Sequence, residues 1–208
     1  MAHKQFSEAD KMLTVYTSTH GKITCLAKGA SRLRSRKGGH VELGNWCKLY
    51  VARGKNLDIL TEVETKRPFG HENLTPTTSA QIYHLLELVD YLTEPRQVNA
   101  SLFTLLVNFL NKVAIGEDFR LLATVFKIKL LYSLGFFSST SIKNANLQKL
   151  FKSIELQDYD SLKRNIKFQD HNYLKLLTFL DSIIEHLAQK SLKTAKFVYI
   201  RSQNTQGL

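Results

Sequence analysis

Along the first third of the chain, apolar and polar positions alternate with period two. Leu13, Val15 and Thr17 oppose Met12, Thr14 and Tyr16. After a turn at His20-Gly21, Ile23, Cys25 and Ala27 oppose Thr24, Leu26 and Lys28. Alternation of this kind predicts half-buried strands. It returns in Cys47, Leu49 and Val51 against Trp46, Lys48 and Tyr50, and again in Ile59, Thr61, Val63 and Thr65. Arg53-Gly54-Lys55-Asn56 between these two runs is a hairpin-like turn sequence. Short strands joined by tight turns predict a small antiparallel β-barrel, with the OB type as the natural candidate.

Near Pro68 the period changes. Arg67 to Thr78 contains Pro68, Gly70, Asn73 and Pro76 and reads as a linker. Beyond it Ile82, Leu85, Leu86, Val89 and Leu92 share one helical face, stopped at Glu94-Pro95. Asn99 can cap a second helix carrying Leu102, Phe103, Leu106, Phe109, Leu110 and Val113, ended by Gly116. Phe119, Leu122, Val125, Phe126, Leu130 and Leu134 build a third, closed at Gly135. That helix is apolar around much of its circumference and is expected to lie centrally. Leu147, Leu150, Phe151 and Ile154 predict a short helix. Asp170 can cap a last long one with Leu177, Leu180, Ile184 and Leu187 on its buried stripe. Gln157 to Asn165 shows no clear period. The expected architecture is α+β: residues 1–70 form the barrel and 71–208 an all-helical domain.

Composition fits a globular chain, with 43% apolar and 23% charged residues over 208 positions. The formal net charge is +11, which argues for an anionic partner and says nothing about fold. Residues 1–70 carry 13 Lys/Arg against 6 Asp/Glu, and residues 71–208 carry 16 against 12, so the first third holds +7 of the excess. Cys25 and Cys47 are the only cysteines and form no CxxC pair. They are expected as small packed apolar residues in a reducing compartment. No signal-like stretch and no membrane-length apolar run is seen, so a cytoplasmic location is expected, nucleoid-associated if the anionic partner is DNA.

The excess charge is concentrated in Ile23 to Lys37, which holds Lys28, Arg32, Arg34, Arg36 and Lys37 and no acid. A cationic loop leaving a strand suits a phosphate backbone, because each cation that displaces condensed counterions gains entropy. A solvated charged loop is the competing reading. Strand alternation also puts Trp46, Lys48 and Tyr50 on one face. Aromatic-basic-aromatic is the pattern of a base-stacking platform; the competing reading packs Trp46 and Tyr50 on the helical half or the barrel wall. Arg53 and Lys55 flank a turn and either extend the cationic surface or form an ordinary polar hairpin tip.

The order of elements resembles the RecO family of DNA repair and recombination mediators. The resemblance begins with Phe6-Ser7-Glu8-Ala9-Asp10-Lys11 and Leu13-Thr14-Val15-Tyr16-Thr17. It continues through His20-Gly21-Lys22, Ala27-Lys28-Gly29-Ala30, Ser35-Arg36-Lys37-Gly38-Gly39 and Arg53-Gly54. Leu85-Leu86-Glu87-Leu88-Val89, Phe126-Lys127-Ile128-Lys129-Leu130-Leu131 and Leu134-Gly135-Phe136 resemble that family's helical domain, and Leu187 to Phe197 its closing segment. The resemblance implies an N-terminal OB-fold, binding of single- and double-stranded DNA, annealing of complementary strands and help in loading recombinase. It implies RecR and the single-stranded-DNA-binding protein SSB as partners, the latter through its acidic tail.

Three departures from the family pattern stand out. The opening signature comes early, so a shortened lead-in strand is expected. Phe137 to Asn146 has no cysteine, where some members carry a four-cysteine zinc module, so no zinc is expected. Thr124-Val125 replaces a basic pair that many members place before the phenylalanine matched by Phe126. Lys127 and Lys129 remain as candidates to edge an apolar groove for an acidic peptide; the plainer reading sends both to solvent.

No GxxxxGK[ST], GxSxG or HExxH occurs, so neither ATP hydrolysis nor covalent or metal catalysis is expected, and no cofactor. His84 reads as a packed core residue, and His171 and His186 as surface or capping groups. The alternative function is a protein-only adaptor that docks RecR or SSB with little affinity for DNA.

Overall fold

The structure, a computed structural model, describes residues 1–69, 74–138, 145–165 and 170–199. Five strands come first: β1 (Ala2–Gln5), β2 (Lys11–Thr17), β3 (Gly21–Ala27), β4 (Trp46–Ala52) and β5 (Asp58–Arg67). Among the described residues seven α-helices follow: α1 (Pro76–Leu92), α2 (Ala100–Ala114), α3 (Phe119–Ser133), α4 (Ala145–Leu156), α5 (Tyr159–Asn165), α6 (Asp170–Ala188) and α7 (Ala195–Tyr199).

The strands lie in the order β1-β2-β3-β5-β4. Every ladder is antiparallel except β3 with β5, which pair in parallel through Cys25–Asp58 and Leu26–Ile59. That order is the OB-type arrangement predicted, left open: among the described residues no ladder joins β1 to β4. The four residues of β1 all pair with β2, and that ladder ends at Ala2.

β2 departs from simple alternation for a physical reason. Leu13 faces the barrel core with Cys25, Ala27, Ala30, Val41 and Leu60. Tyr16 points the other way and joins the helical core, 6.4 Å from the Phe103 ring. Its hydroxyl donates to the Asn99 carbonyl at 3.4 Å. The strand is thus covered on both faces. The start of β3 docks on the same helices. Lys22 Nζ donates to the Asp90 carbonyl at 2.6 Å, and Arg96 N–H donates to the Lys22 carbonyl at 2.8 Å. Gly21 sits at φ +64°, and a Cβ there would lie 2.1 Å from the Gln97 carbonyl oxygen. Gly21→Ala combines a left-handed backbone with a backbone clash. It is expected to cost about 2–4 kcal/mol, read as a lowered urea midpoint with unchanged slope.

The helices follow their sequence signals with one shift. α1 begins at Pro76, inside the stretch read as a linker, because Pro fits the first turn and the Thr75 hydroxyl accepts from Thr78 N–H at 3.1 Å. Asn99 caps α2 by accepting from Leu102 N–H at 2.9 Å, and Asp118 caps α3 through Arg120 N–H at 3.0 Å. α3 is buried continuously from Leu121 to Ile128 and packs against α1, α2, α4, α5 and α6. The stretch from Gln157 contains the short helix α5. The side chains of Asp170 and His171 lie outside the described residues, as do residues 139–144 of the stretch expected to hold no zinc.

His84 is buried in this helical core, its Nδ1 2.7 Å from the Thr194 hydroxyl and its ring edge-on to Phe119. Burial, reinforced by the Lys127 ammonium, holds its pKa well below the usual 6.5. The unfolded chain therefore takes up a proton that the native chain refuses. The stability is complete above pH 6.5 and is lost as pH falls below it, by up to about 1.4 kcal/mol per pH unit. Thermal melts between pH 7.5 and 5 should show this decline, and His84→Leu should flatten it.

Candidate nucleic-acid interface

The basic loop is anchored at its stem and free at its apex. Gly29, at φ +70°, donates its N–H to Asp10 Oδ1 at 2.8 Å. Ala30 is inserted into the barrel core, and Ser31 N–H donates to the Ala9 carbonyl at 2.9 Å. On the return side Val41 is buried in the same core. Between these anchors Ser35 N–H donates to the Arg32 carbonyl at 2.9 Å, closing a turn with Leu33 and Arg34 at its centre.

Lys28, Arg32, Arg34 and Arg36 are exposed. None of them forms an ion pair among the described residues. Lys37 separates from this set. It is half-buried and its Nζ donates to the Leu60 carbonyl at 2.8 Å, so it ties the loop to β5. Among the described residues, no part of the helical half covers these four cations.

On β4 the alternation is as predicted: Trp46, Lys48 and Tyr50 are exposed while Cys47, Leu49 and Val51 are half-buried. Trp46 retains 38% of its surface and Tyr50 48%. Lys48 Nζ lies 5.0 Å from the Tyr50 ring centroid, and that phenol pushes the Lys48 ammonium up from 10.5. The register adds what strand-by-strand reading missed. Lys48 stands opposite Glu64 and Tyr50 opposite Glu62. Both glutamates are exposed, and Glu64 is ion-paired with Lys66 at 2.7 Å. The row is therefore of mixed charge. The signal was present in Glu62, Glu64 and Lys66 alternating with Val63 and Thr65, but only the pairing puts it beside Lys48.

Trp46, Lys48 and Tyr50 also line a cleft of about 1030 Å³, together with Phe103, Leu106 and Val107 of α2. Arg53 lines its rim. Lys55 is exposed on the same hairpin and does not line the cleft. The loop from Lys28 to Lys37 lies outside this cleft.

The proposed peptide-binding lysines are placed differently from expectation. Lys127 neither edges a groove nor reaches solvent: it is 0% exposed and paired with Asp181 of α6. Burial lowers its pKa to about 8 against the pull of Asp181, and burial also raises the Asp181 carboxyl. Lys129 is half-buried, with Nζ donating to the Gln157 carbonyl at 2.8 Å and the Glu155 carbonyl at 3.4 Å.

Cys25 is packed in the barrel core with its thiol pushed up to about 11, and Cys47 donates to the His40 carbonyl at 3.2 Å. Among the described residues no cluster of three His, Cys, Asp or Glu is arranged to hold a metal, and no helix is long and apolar enough to cross a membrane.

Known sequences agree with this architecture half by half. The family profile described as "Recombination protein O N terminal" matches residues 1–69, and "Recombination protein O C terminal" matches residues 74–142. The DNA repair protein RecO of Desulforamulus reducens is 25% identical over 230 aligned positions, covering 94% of this chain and 90% of that protein. The DNA repair protein RecO of Pelotomaculum thermopropionicum is 37% identical over 131 positions, 62% of this chain and 50% of that protein. That of Roseiflexus is 32% identical over 129, with 62% and 45% covered. In the latter two the match spans about half the relative's length. With strands under the first profile, helices under the second and one relative aligned nearly end to end, the chain belongs to the RecO family of DNA repair proteins.

Proposed function

We propose that this chain is a non-enzymatic mediator that binds single- and double-stranded DNA without reading sequence, and that the loop carrying Lys28, Arg32, Arg34 and Arg36 is its main phosphate contact. The observation that carries this is four exposed cations with no described carboxylate partner, on a stem fixed to the barrel core. Annealing two strands means bringing two polyanions together. Neutralising phosphate charge lowers that repulsion, and long side chains on a turn adapt to varied backbone paths without base-edge contacts.

The β4 row serves as a secondary stacking surface. Tyr50 and Trp46 offer ring faces to bases, and Lys48 and Arg53 offer charge, while Glu62 and Glu64 oppose a phosphate there. Glu62→Gln with Glu64→Gln is therefore expected to tighten single-strand binding by about two- to fivefold in low salt. Unchanged affinity, in a fluorescence-anisotropy titration, means strands do not cross this face.

RecR and SSB are the proposed protein partners. Burial of Lys127 leaves Lys129 as the single lysine of the original pair for the SSB tail. A mobility-shift assay and a complementary-strand annealing assay, run beside pull-downs with RecR and SSB, test the whole reading. DNA shift and annealing are expected. Tight partner capture with no shift of bare DNA would replace the mediator by the adaptor.

A further inference from the structure

At the centre of the Arg32–Ser35 turn stands Leu33, whose relative exposure of 107% exceeds that of every other large apolar side chain among the described residues. A singly exposed apolar residue is ordinary. Three features make this one unusual. It sits between Arg32 and Arg34, with Arg36 and Lys28 on the same acid-free loop, so a cluster of exposed cations carries an apolar tip. The turn beneath it is closed by the Ser35–Arg32 backbone bond. The stem is held through Gly29, Ala30, Ser31 and Lys37, so the tip is presented by a fixed base.

We propose that Leu33 is a wedge that enters a base step of the bound strand while the flanking arginines hold the phosphates on either side. This rests on the reading of the loop as the DNA contact and adds a task to it. An apolar side chain driven between bases gains contact with their faces and breaks the stack, a device seen where proteins kink or open nucleic acid. In a single strand it holds bases apart and exposes their pairing edges to a complement. Leu has no donor or acceptor, so the step is independent of sequence, as annealing requires.

The test uses the whole protein and an oligonucleotide with 2-aminopurine at an internal position, whose fluorescence rises when its neighbours unstack. Binding of the unmodified protein is expected to raise the signal. Leu33→Ala should keep affinity within about threefold, because the phosphate contacts remain, while losing about half or more of the rise and slowing annealing. Leu33→Phe should restore the rise. A fully exposed side chain contributes no packing, so these variants keep the fold. A full rise with Leu33→Ala overturns the wedge and leaves the DNA contact standing. A protein that binds with no rise at all overturns it too. Failure to bind DNA removes the underlying reading and the wedge with it. If Leu33→Ala leaves the fluorescence unchanged but abolishes partition onto phosphatidylglycerol vesicles, the tip serves a lipid surface instead.

Discussion

Replacing Arg32, Arg34 and Arg36 together by alanine is expected to weaken single-stranded DNA binding by about 10- to 100-fold near 0.1 M salt. Each lost phosphate contact removes about 0.7 from the log–log salt slope, so three contacts amount to about two decades when all are engaged. The substitutions should leave the fold untouched, because these side chains are exposed and outside the ion pairs described. A melting temperature within about 2 °C of the unmodified protein is the check. Lys37→Ala offers the contrasting case. Its ammonium bonds the Leu60 carbonyl, so it should lower stability more than it lowers affinity. Equal losses of affinity for Lys37→Ala and the triple variant would mean that the loop acts through its shape and not its free charges.

The second large effect lies in the helical core. Lys127→Ala is expected to destabilise the chain by about 3–5 kcal/mol, since it leaves the Asp181 carboxylate buried without its cation. For a chain of this size that is a fall in melting temperature on the order of 10 °C. Lys127→Met combined with Asp181→Leu removes both charges and keeps much of the volume. The double variant should recover most of the loss, because an apolar replacement of a buried ion pair is often neutral or better. A single-variant loss under about 1 kcal/mol would mean that water or movement already solvates the pair. Any loss of partner binding in a Lys127 variant must be read beside its stability, because the residue is part of the core.

The strands and helices were legible wherever one element met one environment. β4 alternates cleanly because one face is open and the other packs, and α3 reads as central because it is apolar around much of its circumference. The chain misleads where an element meets two environments or a distant partner. Tyr16 breaks the period of β2 because helices cover that strand's outer face. Pro76 looked like linker, yet a proline after a capping threonine opens a helix. Lys127 reads as a surface cation because its partner is 54 positions away. The cue was local all the same: a lysine amid the apolar run from Leu121 to Leu131 must either bend out or find a carboxylate. The charge of the β4 row depends on its register with β5, which shifts between Trp46 and Cys47 and between Tyr50 and Val51. Irregularities of that kind are not written in either strand alone.

On the proposed reading, exposed cations on one loop meet the phosphates by ion exchange. Single-strand affinity across a salt series, measured for the unmodified protein and the triple arginine variant, decides whether they do. Four engaged cations predict a log–log slope of about −3 or steeper, and the variant should be shallower by about 2. A flat response, or parallel lines for the two proteins, would contradict the account.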